Sequence, residues 1–388
     1  MDRVRGRTYL FHGMAFAFFL SSWIESEAAL NTSIPNYLEI YKPIDYAVVG
    51  QQKSGTSTLW NILTLNPAVK WVGHGKESFF FSGELPRTTL CDNLVEDFLT
   101  QAAVQRLKLN RTDMLIGDWS ATHFSCPCCP AAFKSLNANL KIIVVLRDPV
   151  QRALSRFVEQ KRSIKMPLHK TVENFTFPEF VQLEVAALEA CVARAASMEQ
   201  PRPPSPTVPA LSAQGLRGPV DAEPLVGWGA GLDIRRWMEM QCYSRSNIIG
   251  WSIYDVFLEN YLAYFPKEQV LVLYTDDLWT QPLQLFERVE AFLGAPPHRY
   301  DSAVVNLVFN SHDCYHWRCA RKKGDIKSIL LAASSEEGPQ QQLSRNGPFA
   351  QAVSRLVDLY RPHVTRLFSW AEQGRIASPP DRWKQLYG

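Results

Sequence analysis

The chain has 388 residues, 46% of them hydrophobic, and a formal net charge of +3. That length is ample for one large core. A charge so near balance supplies no global basic field, which argues against bulk nucleic-acid binding.

In chain order, Arg3, Arg5 and Arg7 precede an apolar run from Tyr9 to Ile24, which Glu25 and Glu27 end. Ser26-Glu27-Ala28 has the small-x-small form of a cleavage site. The run is short for a membrane span and fits a signal peptide over residues 1–28, with an uncleaved signal anchor as the alternative. Three N-x-[ST] sequons, at Asn31, Asn110 and Asn174, agree with a secretory address and are candidate glycosylation sites. In that setting the eight cysteines make disulfides the expectation. Cys126-Pro127-Cys128-Cys129 is dense enough to raise zinc. A structural zinc needs four donors, however, and no second Cys-x-Cys or His-x-His pair lies nearby. Loop disulfides are therefore expected, with Cys91, Cys191 and Cys242 as partners that sequence cannot assign.

From residue 44 strand and helix patterns alternate, predicting an α/β fold with a parallel sheet. The strand candidates are 45–50, 113–117, 140–146 and 269–274, short apolar runs suited to strands covered on both faces. Residues 200–231 carry seven prolines and five glycines and read as a surface insertion. Residues 371–388 read as a peripheral tail.

Residues 46–63, Tyr46-Ala-Val-Val-Gly50-Gln-Gln-Lys53-Ser-Gly55-Thr-Ser-Thr58-Leu-Trp-Asn-Ile-Leu63, hold the most informative pattern. An apolar run enters a hydroxyl-rich turn, and Leu59, Ile62 and Leu63 recur at helical spacing. This is a strand, a loop and a helix start, whose outward N–H groups favour an anion. A nucleotide triphosphatase loop reads G-x-x-x-x-G-K-[ST]. Here Gly50 and Gly55 keep the frame and Ser57 the last hydroxyl. Thr56 stands in place of the Lys, and the loop's own cation is Lys53. The pattern points to a phosphate-like group with its cation in another place. The alternative is an ordinary Gly/Ser/Thr turn.

A second anion site is expected at Lys141-Ile-Ile-Val-Val-Leu146-Arg147-Asp148-Pro149 and the helix after it. Asp148 is a good N-cap and Pro149 suits the first helical position. Val150, Ala153, Leu154, Phe157 and Val158 form an apolar stripe. Arg147 is left at the carboxyl edge of a strand, where α/β sheets bind ligands. Ser155 lies off the stripe, roughly two turns on. The two can hold a phosphate, while Arg152, Arg156, Lys161 and Arg162 read as a solvated basic face.

Together, Gln52-Lys53-Ser54-Gly55-Thr56-Ser57 and Leu146-Arg147-Asp148-Pro149…Arg152…Ser155 resemble the donor-binding motifs of sulfotransferases that use 3′-phosphoadenosine 5′-phosphosulfate. The likeness is to the Golgi carbohydrate branch, in particular heparan-sulfate 3-O-sulfotransferases and related deacetylase/sulfotransferase domains, over residues 44–370. It implies a P-loop NTPase-like three-layer sandwich around a central parallel sheet. Gly75-Lys76-Glu77-Ser-Phe79-Phe80-Phe81 resembles the family's Lys-Glu-x-x-Phe-Phe segment, which implies Glu77 as catalytic base. His74 and His123 are rival bases, and Phe79–Phe81, Trp60 and Trp71 are expected in the core. Asp118-Trp119-Ser120-Ala121-Thr122 sits where the family has acidic-Lys-Thr-Pro, with Trp119 and Ala121 departing from it. Cys314-Tyr-His-Trp-Arg-Cys319 resembles a disulfide-closed loop. Lys323-Gly324 resembles a turn over the donor's 3′-phosphate, with Asp325 in place of a basic residue. Tyr315 and Trp317 are candidates to stack on a base.

The resemblance implies donor binding by Lys53, Ser54, Gly55, Thr56, Ser57, Arg147, Ser155, Lys323 and Gly324, and no metal. The basic clusters at 152–165 and 318–327 suit an anionic glycan, though a neutral glycan or a small lumenal alcohol stays open as acceptor. The implied address is the Golgi lumen, with membrane attachment only through an N-terminal anchor. Two other readings compete. A kinase-like nucleotide-binding protein lacks support because the Gly-Lys pair and an evident magnesium carboxylate are missing. A non-catalytic glycan-binding protein is opposed by the intact set of Lys53, Glu77, Arg147 and Ser155.

Overall fold

The computed structural model describes residues 43–73, 75–77, 79–82, 98, 102, 114–162, 164–197, 233–312, 314–326, 329 and 347–388. The leader at 1–28, the insertion at 200–231, His74, Cys91, Asn31 and Asn110 lie outside the described residues. Asn174 is exposed just before the helix Phe177–Ala196.

Five strands form one sheet: β1 (Tyr46–Gly50), β2 (Val69–Trp71), β3 (Leu115–Trp119), β4 (Lys141–Leu146) and β5 (Val270–Tyr274), in the order β2-β3-β1-β4-β5. Every pairing is parallel. Side chains alternate across the strands and feed two cores. Ala47, Val49, Ile142, Val144 and Leu146 face one, while Tyr46, Val48, Ile143 and Val145 face the other. The first core is closed by residues of the helices Cys129–Leu136, Pro149–Arg162, Phe177–Ala196, Tyr254–Tyr264 and Pro348–Glu372. The second is closed by Thr56–Leu63 and Pro282–Leu293. The result is the expected α/β architecture of three layers with a central parallel sheet. It explains why the strands read as continuous apolar runs.

The order also locates the switch point. The chain leaves β1 toward β2 on one side and leaves β4 toward β5 on the other. A crevice therefore opens beyond the carboxyl ends of β1 and β4. The two segments singled out as anion sites, 51–57 and 147–155, follow those two strands.

Three expectations change. The strand expected at 113–117 runs over Leu115–Trp119. Gly117 lets the Tyr46 ring pack against the strand, because a Cβ there would lie 2.2 Å from that ring. Asp118 is buried against His123 Nδ1 at 2.9 Å. The edge strand β2 was not expected, since three residues carry too little pattern to register. The C-terminal residues are no peripheral tail. A helix, Asp381–Tyr387, buries Trp383 and Tyr387 in the first core. Trp383 meets the Tyr274 ring edge-on at 5.6 Å, and the Tyr387 hydroxyl lies 3.3 Å from Asp148 Oδ2.

Candidate active site

The loop after β1 is held from below. Gln51 is fully buried, and its amide donates to Ser125 Oγ (2.6 Å) and the Trp251 carbonyl (2.7 Å). Thr275 Oγ1 donates to the Ser54 carbonyl at 2.7 Å, and Ser54 itself is buried behind the loop. Gly55 then caps the helix Thr56–Leu63 with φ +96°, and being glycine it supplies no side-chain cap to the helix start. A Cβ at Gly55 would come within 2.9 Å of Leu278 Cδ1. The first-turn N–H groups lack intrahelical acceptors and carry the positive end of the helix dipole. Gly55, Thr56, Ser57 and Thr58 line a cleft of about 450 Å³.

The segment after β4 forms another wall. Asp148 Oδ1 accepts from Gln151 N at 2.9 Å, which caps the helix Pro149–Arg162 as expected. Arg147 enters the cleft and donates to the Lys53 carbonyl (3.2 Å), and Ser155 lines the same space. The expected solvated face is only half correct. Arg162 is exposed and Lys161 half-buried, with its Nζ donating to the Phe175 carbonyl at 2.8 Å, but Arg152 and Arg156 are buried. Arg152 donates to the carbonyls of Gln52 (3.0 Å), Asn247 (2.8 Å) and Ile248 (2.9 Å), so it ties the loop to the helix rather than facing solvent. Arg156 donates from Nε to Asn247 Oδ1 and from Nη1 to Glu159 Oε2, both at 2.7 Å.

Lys53 adopts φ +73°, and its Nζ bonds Glu159 Oε1 at 2.7 Å. The same ammonium sits 4.8 Å from the centre of the Tyr315 ring. Burial would raise the Glu159 carboxyl, yet Lys53 and Arg156 overcome it and carry it down to about 2. Burial also pulls the Lys53 ammonium below the ordinary lysine range, against the pull of Glu159. Glu159 escaped the sequence reading. The signal available was its place one helical turn after Ser155, on the same face.

Glu77 lines the cleft as well. Its backbone lies at φ +69°, its N–H donates to the Trp119 carbonyl (2.7 Å), and its Oε2 accepts from Ala121 N (2.9 Å). Lys76 pairs with Glu77 Oε1. Burial, helped by the nearby Lys53 charge, pushes the Lys76 ammonium down to about 7. The rival His123 is fully buried between the Phe81 and Phe133 rings and bound to Asp118, away from the cleft lining. Trp119 fills the second core, where its indole N–H donates to Tyr46 Oη at 2.9 Å. Phe81 is core as expected, but Phe79 lines the cleft.

The last wall is a loop closed by the disulfide Cys314–Cys319 between strands β6 (Leu307–Phe309) and β7 (Ala320–Lys322). Its Tyr315, His316 and Trp317 line the cleft, and the Trp317 ring meets Trp60 edge-on at 4.7 Å. Lys323 and Gly324 border a separate shallow groove. Lys323 Nζ donates to the carbonyl of Trp279, which lines the cleft, at 3.3 Å. The other described cysteine pairs are Cys126–Cys129 and Cys191–Cys242.

The structure thus gathers Lys53, Gly55, Thr56, Ser57, Glu77, Arg147 and Ser155 around one cleft, with Ser54 behind it and Lys323 and Gly324 beside it. Comparison with known proteins finds sulfotransferases among the chains similar to this one. The chain is 25% identical over 327 residues to human bifunctional heparan sulfate N-deacetylase/N-sulfotransferase 3, covering 83% of this chain and 29% of that protein. It is 22% identical over 266 residues to mouse heparan sulfate glucosamine 3-O-sulfotransferase 5, covering 68% and 56%. The chain therefore spans less than a third of the first relative and about half of the second. A solved sulfotransferase from Alicyclobacillus acidocaldarius aligns with a TM-score of 0.41 at 19% identity, covering 88% of this chain and 98% of that one. The sulfotransferase domain family matches residues 43–313, a span that runs from the entry to β1 into the disulfide-closed loop and contains the whole β1–β4 crevice; the chain belongs to that family.

Proposed function

We propose that this chain is a carbohydrate sulfotransferase that uses 3′-phosphoadenosine 5′-phosphosulfate. The observation that carries the reading is the convergence of an anion-receptive helix start, the cations Lys53 and Arg147 and the Glu77 carboxylate on one cleft at the switch point. In this reading Arg147 and Ser155 bind the donor's 3′-phosphate. Lys53 and the N–H groups from Gly55 to Ser57 bind the 5′-phosphate. Lys323 and Gly324 approach the nucleotide from the rim.

Sulfuryl transfer is an in-line displacement. The acceptor oxygen forms a bond to sulfur while the bridging bond from sulfur to the 5′-phosphate oxygen breaks. Glu77 takes the acceptor's proton as attack proceeds. The departing phosphate gains negative charge, and Lys53 with the loop N–H groups stabilises it where it develops. The contact from Ala121 N fixes Glu77 Oε2 and so orients the carboxylate. The acceptor is a hydroxyl or amine of a glycan, in line with the heparan sulfate activities named for the relatives. A Golgi-lumenal address, reached through residues 1–28, goes with that acceptor. Titration calorimetry tests the donor assignment. Adenosine 3′,5′-bisphosphate binds more tightly than ATP, and equal affinities would remove it. A screen of glycans and small alcohols with labelled donor then identifies the acceptor.

A further inference from the structure

The cleft binds its own anion. Among the described residues, four Lys and Arg side chains line it, Lys53, Lys76, Arg147 and Arg156, and among them stands the carboxylate of Glu159. One Glu159 oxygen takes Lys53 at 2.7 Å and the other takes Arg156 at 2.7 Å. Lys53 and Glu159 are 6% and 11% exposed at the side chain, so water screens this pair little. A buried ammonium without a partner is costly, and Glu159 removes that cost. The same carboxylate opposes any phosphate or sulfate that approaches Lys53.

We infer that Glu159 is a positioning residue that stands in for the donor phosphate, holding Lys53 in the cleft while the site is empty and releasing it to the incoming anion. The inference rests on the reading of this cleft as the donor site. It makes donor binding an exchange of anions on Lys53. Glu159 loses one partner and keeps Arg156, which is one turn away on its own helix. The exchange costs affinity and speeds release. As the product bisphosphate leaves, Glu159 recaptures Lys53, so the nucleotide is not retained by an unpaired cation. The disulfide-closed loop takes part from above. The Tyr315 ring contacts the Lys53 ammonium, and the Arg162 guanidinium packs on the same ring at 5.3 Å. The ring therefore limits the directions in which Lys53 can swing.

The test compares wild type with Glu159→Gln by calorimetry, using adenosine 3′,5′-bisphosphate and, separately, inorganic sulfate. The variant binds both roughly tenfold more tightly. Its melting temperature without ligand falls, and added bisphosphate recovers more of it than in wild type. In turnover, KM for the donor and kcat fall together because product leaves slowly. A residue that only supports the fold would lower both melting temperatures alike and leave the binding constants unchanged or weaker, which overturns the inference. Glu159→Asp keeps the charge and shortens its reach. If Glu159→Gln does not fold, Glu159→Asp must still bind the bisphosphate more tightly than wild type, and unchanged or weaker binding overturns the inference. The two readings fail separately. Tighter sulfate binding by the variant, with no wild-type preference for the bisphosphate over ATP, removes the donor assignment and leaves the exchange intact. Wild-type bisphosphate preference with no effect of Glu159→Gln does the reverse.

Discussion

Glu77 occupies a left-handed backbone conformation (φ +69°) that residues with a Cβ seldom adopt. The bond from its N–H to the Trp119 carbonyl and the bond from Ala121 N to its carboxylate hold it there. Glu77→Gln preserves the shape and the oxygen that accepts from Ala121, and removes only the proton acceptor. Transfer is expected to fall by at least ~10²-fold, with bisphosphate binding unchanged by calorimetry. Full activity would end the assignment of Glu77 as base. Glu159 supports a second prediction at this scale. Against burial, Lys53 and Arg156 hold its folded-state carboxyl down at about 2, below the ordinary glutamate range. The carboxylate therefore contributes stability that is present in full above pH 4.5 and is lost as pH falls toward 2. Denaturant titrations of wild type and Glu159→Gln should show a gap at pH 7 that narrows as pH falls from 4.5 to 2. A gap independent of pH would contradict the linkage. These carboxylates differ in legibility. Glu77 stood beside a recognisable aromatic run, whereas Glu159 is an unremarkable residue in a charged stretch until Lys53 arrives from 106 positions away.

Elements place these side chains. The helix Thr56–Leu63 and the helix Pro149–Arg162 both begin at the switch point, and both starts carry local signals: Gly55 for one, Asp148 and Pro149 for the other. Those signals were readable because a cap is set by its own residue's backbone and side chain. Gly55 gives the sharpest test. Its positive φ strains any L side chain placed there, and an added methyl group would displace Leu278 Cδ1 from a 2.9 Å approach. Gly55→Ala is expected to cost about 1–2 kcal/mol, measured by urea denaturation, and to weaken bisphosphate binding by displacing the first-turn N–H groups. A neutral effect on both would mean that the loop re-forms without strain. The faces of the second helix were less legible. Its apolar stripe was correct, but Arg152 and Arg156 looked solvent-facing. Their acceptors, at Gln52, Asn247 and Ile248, belong to segments far away in the chain.

For the molecule as a whole, the C-terminal helix decides how the first core closes. Trp383 is fully buried against Tyr274 at the end of β5, and Tyr387 reaches Asp148 beside the second anion segment. Trp383→Ala should therefore cost about 3–5 kcal/mol by denaturant titration. A loss below 1 kcal/mol would show that the helix is the peripheral tail its sequence suggested. That expectation failed because a seven-residue amphipathic stretch after Pro379 and Pro380 carries no sign of the surface that receives it. By itself the sequence determined the α/β class, four of the five strands, the two helix starts and seven of the residues that meet in the cleft. Strand runs, caps and glycine turns are properties of neighbouring residues, so they survive in one dimension. Only the tertiary structure decided which charges are buried, that Glu159 holds Lys53, that His123 is packed away, and that Lys323 lies beside the cleft rather than in it. Each of those depends on partners brought together by the sheet order, and the cost or gain of burying a charge is set by those partners alone.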